Sequence, residues 1–410
     1  MLSRRIFLRG SAVVMAGAGF APAWLARAAA NTDGTNNKNG GRKKVLVAIF
    51  QRGAADGLNI VVHFGDPHYR DLRPTIGVKE PGDSGAAIDL DGYFGLHPQL
   101  QPLKDLWDRK QLAIVEATGS PDASRSHFDA QDYMESGTSS RGTSDGWLNR
   151  ALTPPVPETS PLRAISIGSQ LPRTLRGDRS AIAIANGQNF GPGNPQAAKL
   201  LEKMYASTAD SRLETTGKDA FAAMKMVQFI NNAPYTPAGG AQYGPGGELG
   251  RSLQQVARFI KADVGVEAAF AEIGGWDHHG NEPGQLGGLL RQFSSALAAF
   301  ALDLGDRMED VVLVTMSEFG RTAKENGDAG TDHGHGSVMM VLGGPVAGGK
   351  VYGTWPGLAS EQLFEGRDLA VTTDFRDVLG ELVRGHLGQK DLHKVFPGFT
   401  PGAGPGLLKA

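Results

Sequence analysis

The sequence of 410 residues contains no cysteine. This absence excludes disulfide bonds, thiolate metal ligands and cysteine nucleophiles, so the stability of the protein must come from an ordinary hydrophobic core. The sequence also has no G-x-G-x-x-G motif after its first apolar run, at 45–50, where a dinucleotide-binding fold would carry it. Both absences weigh against a redox enzyme with an iron–sulfur cluster or a dinucleotide cofactor.

An excess of charge of one sign is also missing, because 41 lysine and arginine residues face 43 aspartate and glutamate residues. The formal net charge is −2, and it becomes −6 if the first 30 residues, which hold four arginines and no acid, are removed. Nucleic-acid binding depends on neutralising phosphates with lysine and arginine. We therefore expect no nucleic-acid partner.

The N-terminus has the features of an export signal. Residues 3–9 read SRRIFLR, which matches the twin-arginine pattern, and small-residue cleavage sites lie near residue 30. The stretch at 10–26 is rich in glycine and alanine, which makes it a poor permanent membrane span. We predict a signal peptide at 1–30, a flexible linker at 31–41, delivery by the twin-arginine translocase and a periplasmic or secreted protein. The alternative is a plain amphipathic N-terminal helix.

Apolar runs separated by helical patterns organise the remaining chain, 42–410. Such runs are typical of strands buried on both faces of a parallel sheet. The predicted strands are Val45–Phe50, Leu112–Ala117, Ala164–Ile167, Ala181–Ala185, Val266–Ile273, Val311–Met316 and Val338–Leu342. The predicted helices are Pro98–Arg109, Leu253–Ile260, Leu286–Leu304 and Thr373–Leu387. This alternation predicts an α/β fold with a mainly parallel central sheet flanked by helices. Residues 195–250, first helical and then rich in proline and glycine, predict a helical and loop insertion or cap.

Three carboxylates follow predicted strands. Asp56, Asp277 and Glu318 come six, four and two residues after the strands that precede them. Because ligands of open α/β sheets bind outside the carboxyl ends of the strands, we expect these carboxylates to share one pocket. The structural alternatives are a turn at Asp56 and a cap or an ion pair with Arg321 at Glu318.

Four of the ten histidines lie in two glycine-flanked clusters, WDHHG at 276–280 and DHGHG at 332–336. Imidazole nitrogen and carboxylate oxygen are ligands that divalent metals prefer. Alternate residues of an extended segment face the same side, so His279 is the predicted partner of Asp277, whereas His278 is expected to pack elsewhere.

By the same rule His333 and His335 would face the site together. Asp332 would then face away, unless it holds an imidazole by a hydrogen bond. This second cluster precedes a strand, and a loop that enters a parallel strand normally lies at the opposite edge of the sheet. The two histidines therefore need either a long loop that reaches over, at 322–336, or an antiparallel strand.

A nucleophile candidate lies in SRSHFDAQD at 124–132. Ser126 precedes a helical pattern with an acid three residues later, so helix capping is its structural alternative. A helix N-terminus stabilises an anion and lowers the pKa of a hydroxyl group, which suits attack on a phosphate or sulfate ester. Ser124 is the other candidate. Arg125 and Arg321 could hold the ester oxygens, or could be ordinary ion-pair arginines.

Seven segments, one at the N-terminus and six spread over nearly the whole mature chain, form a specific set. They are the twin-arginine start, RGAADGLN at 52–59, SRSHFDAQDYMESG at 124–137, GGWDHHGN at 274–281, SEFGRT at 317–322, GTDHGHG at 330–336 and TTDFRDVLGEL at 372–382. In order and spacing these segments resemble the bacterial family catalogued as domain of unknown function 1501. That family is itself similar to the alkaline phosphatase and sulfatase superfamily.

The resemblance implies an alkaline-phosphatase-like fold with a metal site beside a nucleophile at a helix start. By position, Ser126 resembles that nucleophile. The implied metal ligands are Asp56, Asp277, His279, Glu318 and either His333 or His335. Phe319 stands where the superfamily has a histidine after the acid, which removes one ligand of a second metal.

From the resemblance we expect a metal-dependent hydrolase of phosphate or sulfate esters, acting on a small molecule or a polymer. Zinc is the expected metal, and manganese, magnesium and calcium are the alternatives. The second interpretation is a non-catalytic exported metal-binding protein that binds a surface polymer or a partner.

Overall fold

The computed structural model of the protein describes residues 42–139, 142–156, 159–185 and 195–410. The predicted signal peptide and linker lie outside the described residues. Of the helices within these ranges, none is long and apolar enough to cross a membrane.

Buried apolar runs form the strands of a central sheet. In the described ranges the strands are β1 Val45–Gln51, β2 Val61–Val62, β3 Ile88–Asp89, β4 Gly95–Leu96, β5 Leu112–Gly119, β6 Ala164–Ile167, β7 Ile182–Ile184, β8 Ala268–Ile273, β9 Val311–Ser317, β10 Ser337–Gly343, β11 Lys350–Tyr352 and β12 Thr373–Asp374. All seven predicted strands are confirmed to within two residues at each end. Their runs could be recognised because both faces of most of these strands are buried.

The central sheet has the strand order β11-β5-β10-β9-β1-β8-β6-β7, and β12 pairs with β5. Every pairing is parallel except those of β10, which is antiparallel to both β5 and β9. The predicted mainly parallel sheet is therefore confirmed. Because β10 runs in the opposite direction, the loop that enters it lies at the edge where β1, β5, β8 and β9 end.

Helices cover both faces of this sheet. They are α1 Gly57–Ile60, α2 Tyr69–Leu72, α3 Lys104–Asp108, α4 His127–Ser136, α5 Trp147–Ala151, α6 Pro195–Ala206, α7 Ser211–Asn232, α8 Gly247–Lys261, α9 Glu282–Leu304, α10 Phe375–Gly385 and α11 Leu392–Val395. The side chains of β1 alternate between two cores. Val45, Val47 and Ile49 pack in the core that includes α8 and α9, whereas Leu46, Ala48 and Phe50 pack in the core that includes α10.

The predicted helices are present with shifted ends. Residues 98–103 form a 3-10 helix that continues as α3, and Pro102, which has no amide hydrogen, lies at the end of the tighter segment. Residues 195–250 contain α6 and α7 and two short 3-10 turns, and α8 begins at Gly247, inside the predicted loop. A small antiparallel sheet, β2-β4-β3, lies outside the main sheet.

Candidate metal site

Three histidines and one aspartate come together at the carboxyl edge of the sheet. His127 is the first residue of α4, which follows β5. Asp277 and His279 lie in the loop after β8, and His333 lies in the loop that enters β10. The antiparallel direction of β10 resolves the difficulty of placing the second histidine cluster at this edge.

The facing atoms of these side chains are within contact distance. His333 Nε2 lies 3.0 Å from His127 Nε2 and 3.1 Å from His279 Nε2. Asp277 Oδ1 lies 3.2 Å from His333 Nε2 and 3.0 Å from His279 Nε2. Within the described residues, His127, Asp277 and His333 form a group whose donor atoms all lie within 4.8 Å of one another. His279 borders this group on the side of Asp277 and His333.

The other nitrogen of each imidazole donates a hydrogen bond to an oxygen that can only accept. His127 Nδ1 donates to Glu318 Oε1 over 2.8 Å, and His279 Nδ1 donates to Asp332 Oδ1 over 2.9 Å. His333 Nδ1 donates to the carbonyl oxygen of Arg125 over 3.0 Å. These bonds fix the ring orientations and place the lone pairs of all three Nε2 atoms toward one another.

Such an arrangement fits a bound cation. Nitrogen lone pairs that face each other at 3.0 Å repel unless a proton or a cation lies between them. Zinc–nitrogen bonds of about 2.0–2.1 Å in a tetrahedral site place neighbouring ligand atoms about 3.3 Å apart, close to the distances in this group. The set of imidazole nitrogens and one carboxylate also suits zinc better than magnesium or calcium, which prefer oxygen ligands.

The surrounding charges set the protonation of the ligands. The hydrogen bond to Glu318 raises the pKa of His127, whereas burial lowers the pKa of His333. Burial alone would raise the pKa of Asp277, but the hydrogen bond and charge of Arg321 outweigh it and hold that pKa below its usual range. Asp277 is therefore ionised at neutral pH, as a metal ligand must be.

The group lies at the surface and packs against one buried aromatic ring. The side chains of Asp277 and His279 are 42% and 48% exposed. Phe319 is buried, and its ring centroid lies 5.0 Å from that of His127 and 5.1 Å from that of His333. Phe319 thus packs against the imidazoles of His127 and His333 and adds no ligand atom.

Two glycines allow the ligand loops to approach each other. A Cβ atom at Gly330 would lie 2.4 Å from the carbonyl carbon of His279, and one at Gly334 would lie 2.4 Å from the carbonyl carbon and oxygen of Arg321. Real Cβ atoms do not make contacts this short. Gly330 therefore permits the close contact between the two histidine loops, and Gly334 permits the contact between the second loop and Arg321.

Asp56 lies outside the metal group. Its Oδ2 atom forms an ion pair of 2.6 Å with Arg73 Nη1, and its Oδ1 atom accepts from the amide of Leu58, which caps α1. Burial would raise the pKa of Asp56, but the neighbouring charge of Arg73 lowers it. The structure thus pairs this carboxylate with a protein cation.

Glu318 contacts the group through His127 and is not one of its facing donor atoms. Its Oε1 atom accepts hydrogen bonds from Gly53 N at 2.8 Å, Gln131 Nε2 at 2.9 Å and His127 Nδ1. Because Glu318 is buried and holds three donors, it lies where a carboxylate orients a metal-binding imidazole.

The two histidines that flank the ligand positions have other environments. His335 is buried and stacks on Phe364 with ring centroids 4.5 Å apart, at a bend just before β10. His278 is also buried, whereas the neighbouring Asp277 and His279 are exposed, so burial alternates along this segment as the rule predicts. The rule does not hold at His335, because the backbone bends there and alternation requires extended backbone.

The predicted catalytic residues lie beside the group. Ser126 is the N-cap of α4, and its hydroxyl oxygen accepts from the amide of Asp129 at 3.5 Å. Ser124 Oγ accepts from the amide of Ser126 at 3.2 Å. The Arg125 guanidinium donates to Asp368 Oδ2 over 2.6 Å and to Glu365. The capping interpretation of Ser126 is thus confirmed, and its role as a nucleophile stays a prediction; Ser126 is adjacent in sequence to His127, which belongs to the group.

His127 lies in the motif SRSHFDAQD and is not among the metal ligands that the sequence predicts, although it belongs to the group. The available signal was its position, since a side chain at the start of a helix that follows a strand points toward the carboxyl edge of an α/β sheet. The sequence predicts Asp332 only as a conditional partner of an imidazole, and its hydrogen bond to His279 meets that condition.

A profile of the family described as "Protein of unknown function (DUF1501)" matches residues 107–393. The matched segment runs from α3 to α11 and contains His127, Asp277, His279 and His333. A search of curated proteins found no significant match.

Proposed function

Because the chain belongs to the DUF1501 family, whose description states no activity, we propose its function from the geometry of the site. We propose an exported, metal-dependent hydrolase of phosphate or sulfate esters with an alkaline-phosphatase-like fold. The convergence of His127, Asp277 and His333 beside the N-terminus of α4 carries this proposal. When bound, a divalent metal supplies Lewis-acid polarisation of an ester oxygen and a lower pKa for the attacking oxygen.

The residues of the chain have separate roles in this proposal. His127, His333 and Asp277 bind the metal, and His279 either completes the set or borders an open position. Glu318 and Asp332 hold the imidazoles in orientation. The two exposed side chains, Asp277 and His279, leave the site accessible to an ester group on a small molecule or a polymer.

Ser126 is the proposed nucleophile. Its hydroxyl lies at the N-terminus of a ten-residue helix, where the helix dipole stabilises an alkoxide or a transferred anionic group. Arg125 and Arg321 form ion pairs with carboxylates of the protein. In this proposal they contribute positive charge near the site and do not bind the ester oxygens directly. A water molecule is the alternative nucleophile.

Substitution of Ser126 separates attack from capping. Asparagine caps a helix about as well as serine but has no hydroxyl, so Ser126→Asn should fold normally, bind metal and lose at least about 100-fold in turnover of aryl phosphate, phosphodiester or aryl sulfate. Rates would be measured with zinc, manganese, magnesium or calcium. Ser124→Ala is the matched control and should keep most of the activity.

Full turnover by Ser126→Asn would remove Ser126 from the mechanism; the attack would then belong to Ser124 if Ser124→Ala loses activity, and to water if it does not. Absence of turnover by the wild-type protein with the metal bound, across all three ester classes, would contradict the hydrolase proposal itself.

A second candidate function is favoured by one observation. If all four side chains bind the metal, three imidazoles and a carboxylate make a closed tetrahedral set, which is typical of structural zinc. The protein would then be a non-catalytic exported metal-binding protein that binds a surface polymer or a partner. In that case chelation would lower the thermal midpoint, and no ester would be turned over.

A further inference from the structure

A chain of buried polar side chains lies behind Asp277 and begins at Arg321, whose side chain is fully buried. Arg321 Nη1 donates to Asp277 Oδ1 over 2.7 Å, and Arg321 Nε donates to Thr331 Oγ1 over 3.1 Å. Arg321 Nη2 donates to the carbonyl oxygen of Thr331. The hydroxyl and the carbonyl of one residue thus fix the plane of the guanidinium group that holds the metal-binding carboxylate.

Buried side chains in turn hold Thr331 in place. Its hydroxyl donates to Glu282 Oε2 over 3.1 Å, and Asn59 Nδ2 donates to Glu282 Oε1 over 2.8 Å. Glu282 is completely buried, and burial together with the neighbouring Asp56 carboxylate raises its pKa well above the usual range. This shift favours the protonated form of Glu282, whose carboxyl group shares a hydrogen bond with Asp56.

A second arm reaches the same arginine along the backbone. The ion pair with Asp56 holds Arg73, which donates through Nε to the carbonyl oxygen of Ala323 over 3.0 Å and through Nη2 to that of Thr322 over 2.9 Å. These carbonyl groups belong to the two residues that follow Arg321. Both arms therefore start at α1, from Asp56 and Asn59, and end at Arg321.

We propose that Thr331 is a positioning residue that holds the Arg321 guanidinium, and through it the Asp277 carboxylate, in the geometry required for metal binding. This inference rests on the metal site of the proposed function. A buried network that served only the core would not need to end on a carboxylate that is 42% exposed. The same network gives Asp56 a role at the site: it holds Arg73 and does not bind the metal itself.

Thr331→Val tests this role because it replaces the hydroxyl with a methyl group of similar size and keeps every charge. Zinc affinity of the purified protein, measured by calorimetry, should fall about 10-fold, as is typical for the loss of a group that orients a ligand. Thr331→Ser keeps the hydroxyl and should restore binding to about the wild-type value. Thr331→Ala serves the same comparison if the valine variant does not fold.

The readout distinguishes positioning from stability, because a merely structural residue would change the thermal midpoint of the metal-free protein and leave the zinc affinity of the folded fraction unchanged. If Thr331 acts through Arg321, the valine change should have no further effect on affinity in an Arg321→Lys background. A full additional 10-fold loss there would overturn the proposal.

Wild-type and valine proteins with equal zinc affinities would also overturn it. If the wild-type protein binds no metal, the proposed function is contradicted, but the role of Thr331 can still be tested. Crystal structures of the metal-free wild-type and Thr331→Val proteins would then show whether the position of Arg321 depends on Thr331. Persistence of the contact between Arg321 Nη1 and Asp277 in the valine variant would then contradict the inference.

Discussion

At the scale of the residue, the orientation of each imidazole distinguishes the candidate site from a chance cluster. His127, His279 and His333 each use Nδ1 to donate to a fixed acceptor, which leaves Nε2 for the shared position. Because carboxylate and carbonyl oxygens cannot donate, the tautomer of each neutral ring follows from its partner. Three rings fixed in this way direct their Nε2 lone pairs at one shared position. This arrangement favours a single cation bound by all three rings over independent protonation of each ring.

Replacement of His127 tests its assignment against that of His335. His127→Ala removes one donor atom and leaves Glu318 without its imidazole, so zinc affinity should fall by more than about 100-fold, beyond the range of an orienting group alone. His335→Ala should bind zinc like the wild-type protein, because the ring packs on Phe364. Equilibrium dialysis would measure both. Equal losses in the two variants would show that the group is not the one described.

At the scale of the element, the site depends on the direction of one strand. β10 is antiparallel to β5 and β9, so its entering loop reaches the edge where β5 and β8 end. The isolated bridge between Arg321 and His333 fixes that loop against the residues that follow β9. The side chains of the candidate site therefore come from three separate connections of the sheet.

Because these connections pack closely, replacing a glycine at their contact should lower both stability and zinc affinity. Gly334→Ala should lower the free energy of unfolding by about 1–3 kcal/mol, because its Cβ would overlap the backbone of Arg321, and should weaken zinc binding by displacing His333. Gly327→Ala, in the same loop, has no atom within 4 Å of the added Cβ and should change neither quantity. Urea unfolding and calorimetry would measure them. An unaffected Gly334→Ala protein would contradict this account of loop packing.

At the scale of the whole molecule, buried histidines link stability to pH. His386 lies at the end of α10, where Nε2 donates to the carbonyl oxygen of Val45 over 3.0 Å, and burial lowers the pKa of His386 to about 4. The unfolded chain binds a proton near pH 6.5, before the folded protein does. This histidine therefore destabilises the fold progressively as the pH falls from about 6.5 to about 4.

The size of this effect follows from the shift, and amounts to about 3 kcal/mol of unfolding free energy at the acid end. His386→Gln can keep a hydrogen bond to Val45 but does not titrate, so its stability should fall less than that of the wild-type protein over this pH range. Urea unfolding in the presence of a chelator would isolate the effect from metal binding. Parallel pH profiles for the two proteins would exclude His386 as the cause.

The strands, the α/β class and the loop that carries Asp277 and His279 can be predicted from the sequence, because apolar runs and residue alternation are local properties. Tertiary structure decided which distant side chains share the site. Tertiary contacts set the antiparallel direction of β10 and place His127 in the group. They also separate His333 from His335 and pair Asp56 with Arg73. Each of these outcomes depends on contacts between segments far apart in the chain, where the lowest-energy partner of a buried charge is set by packing and cannot be read from neighbouring residues.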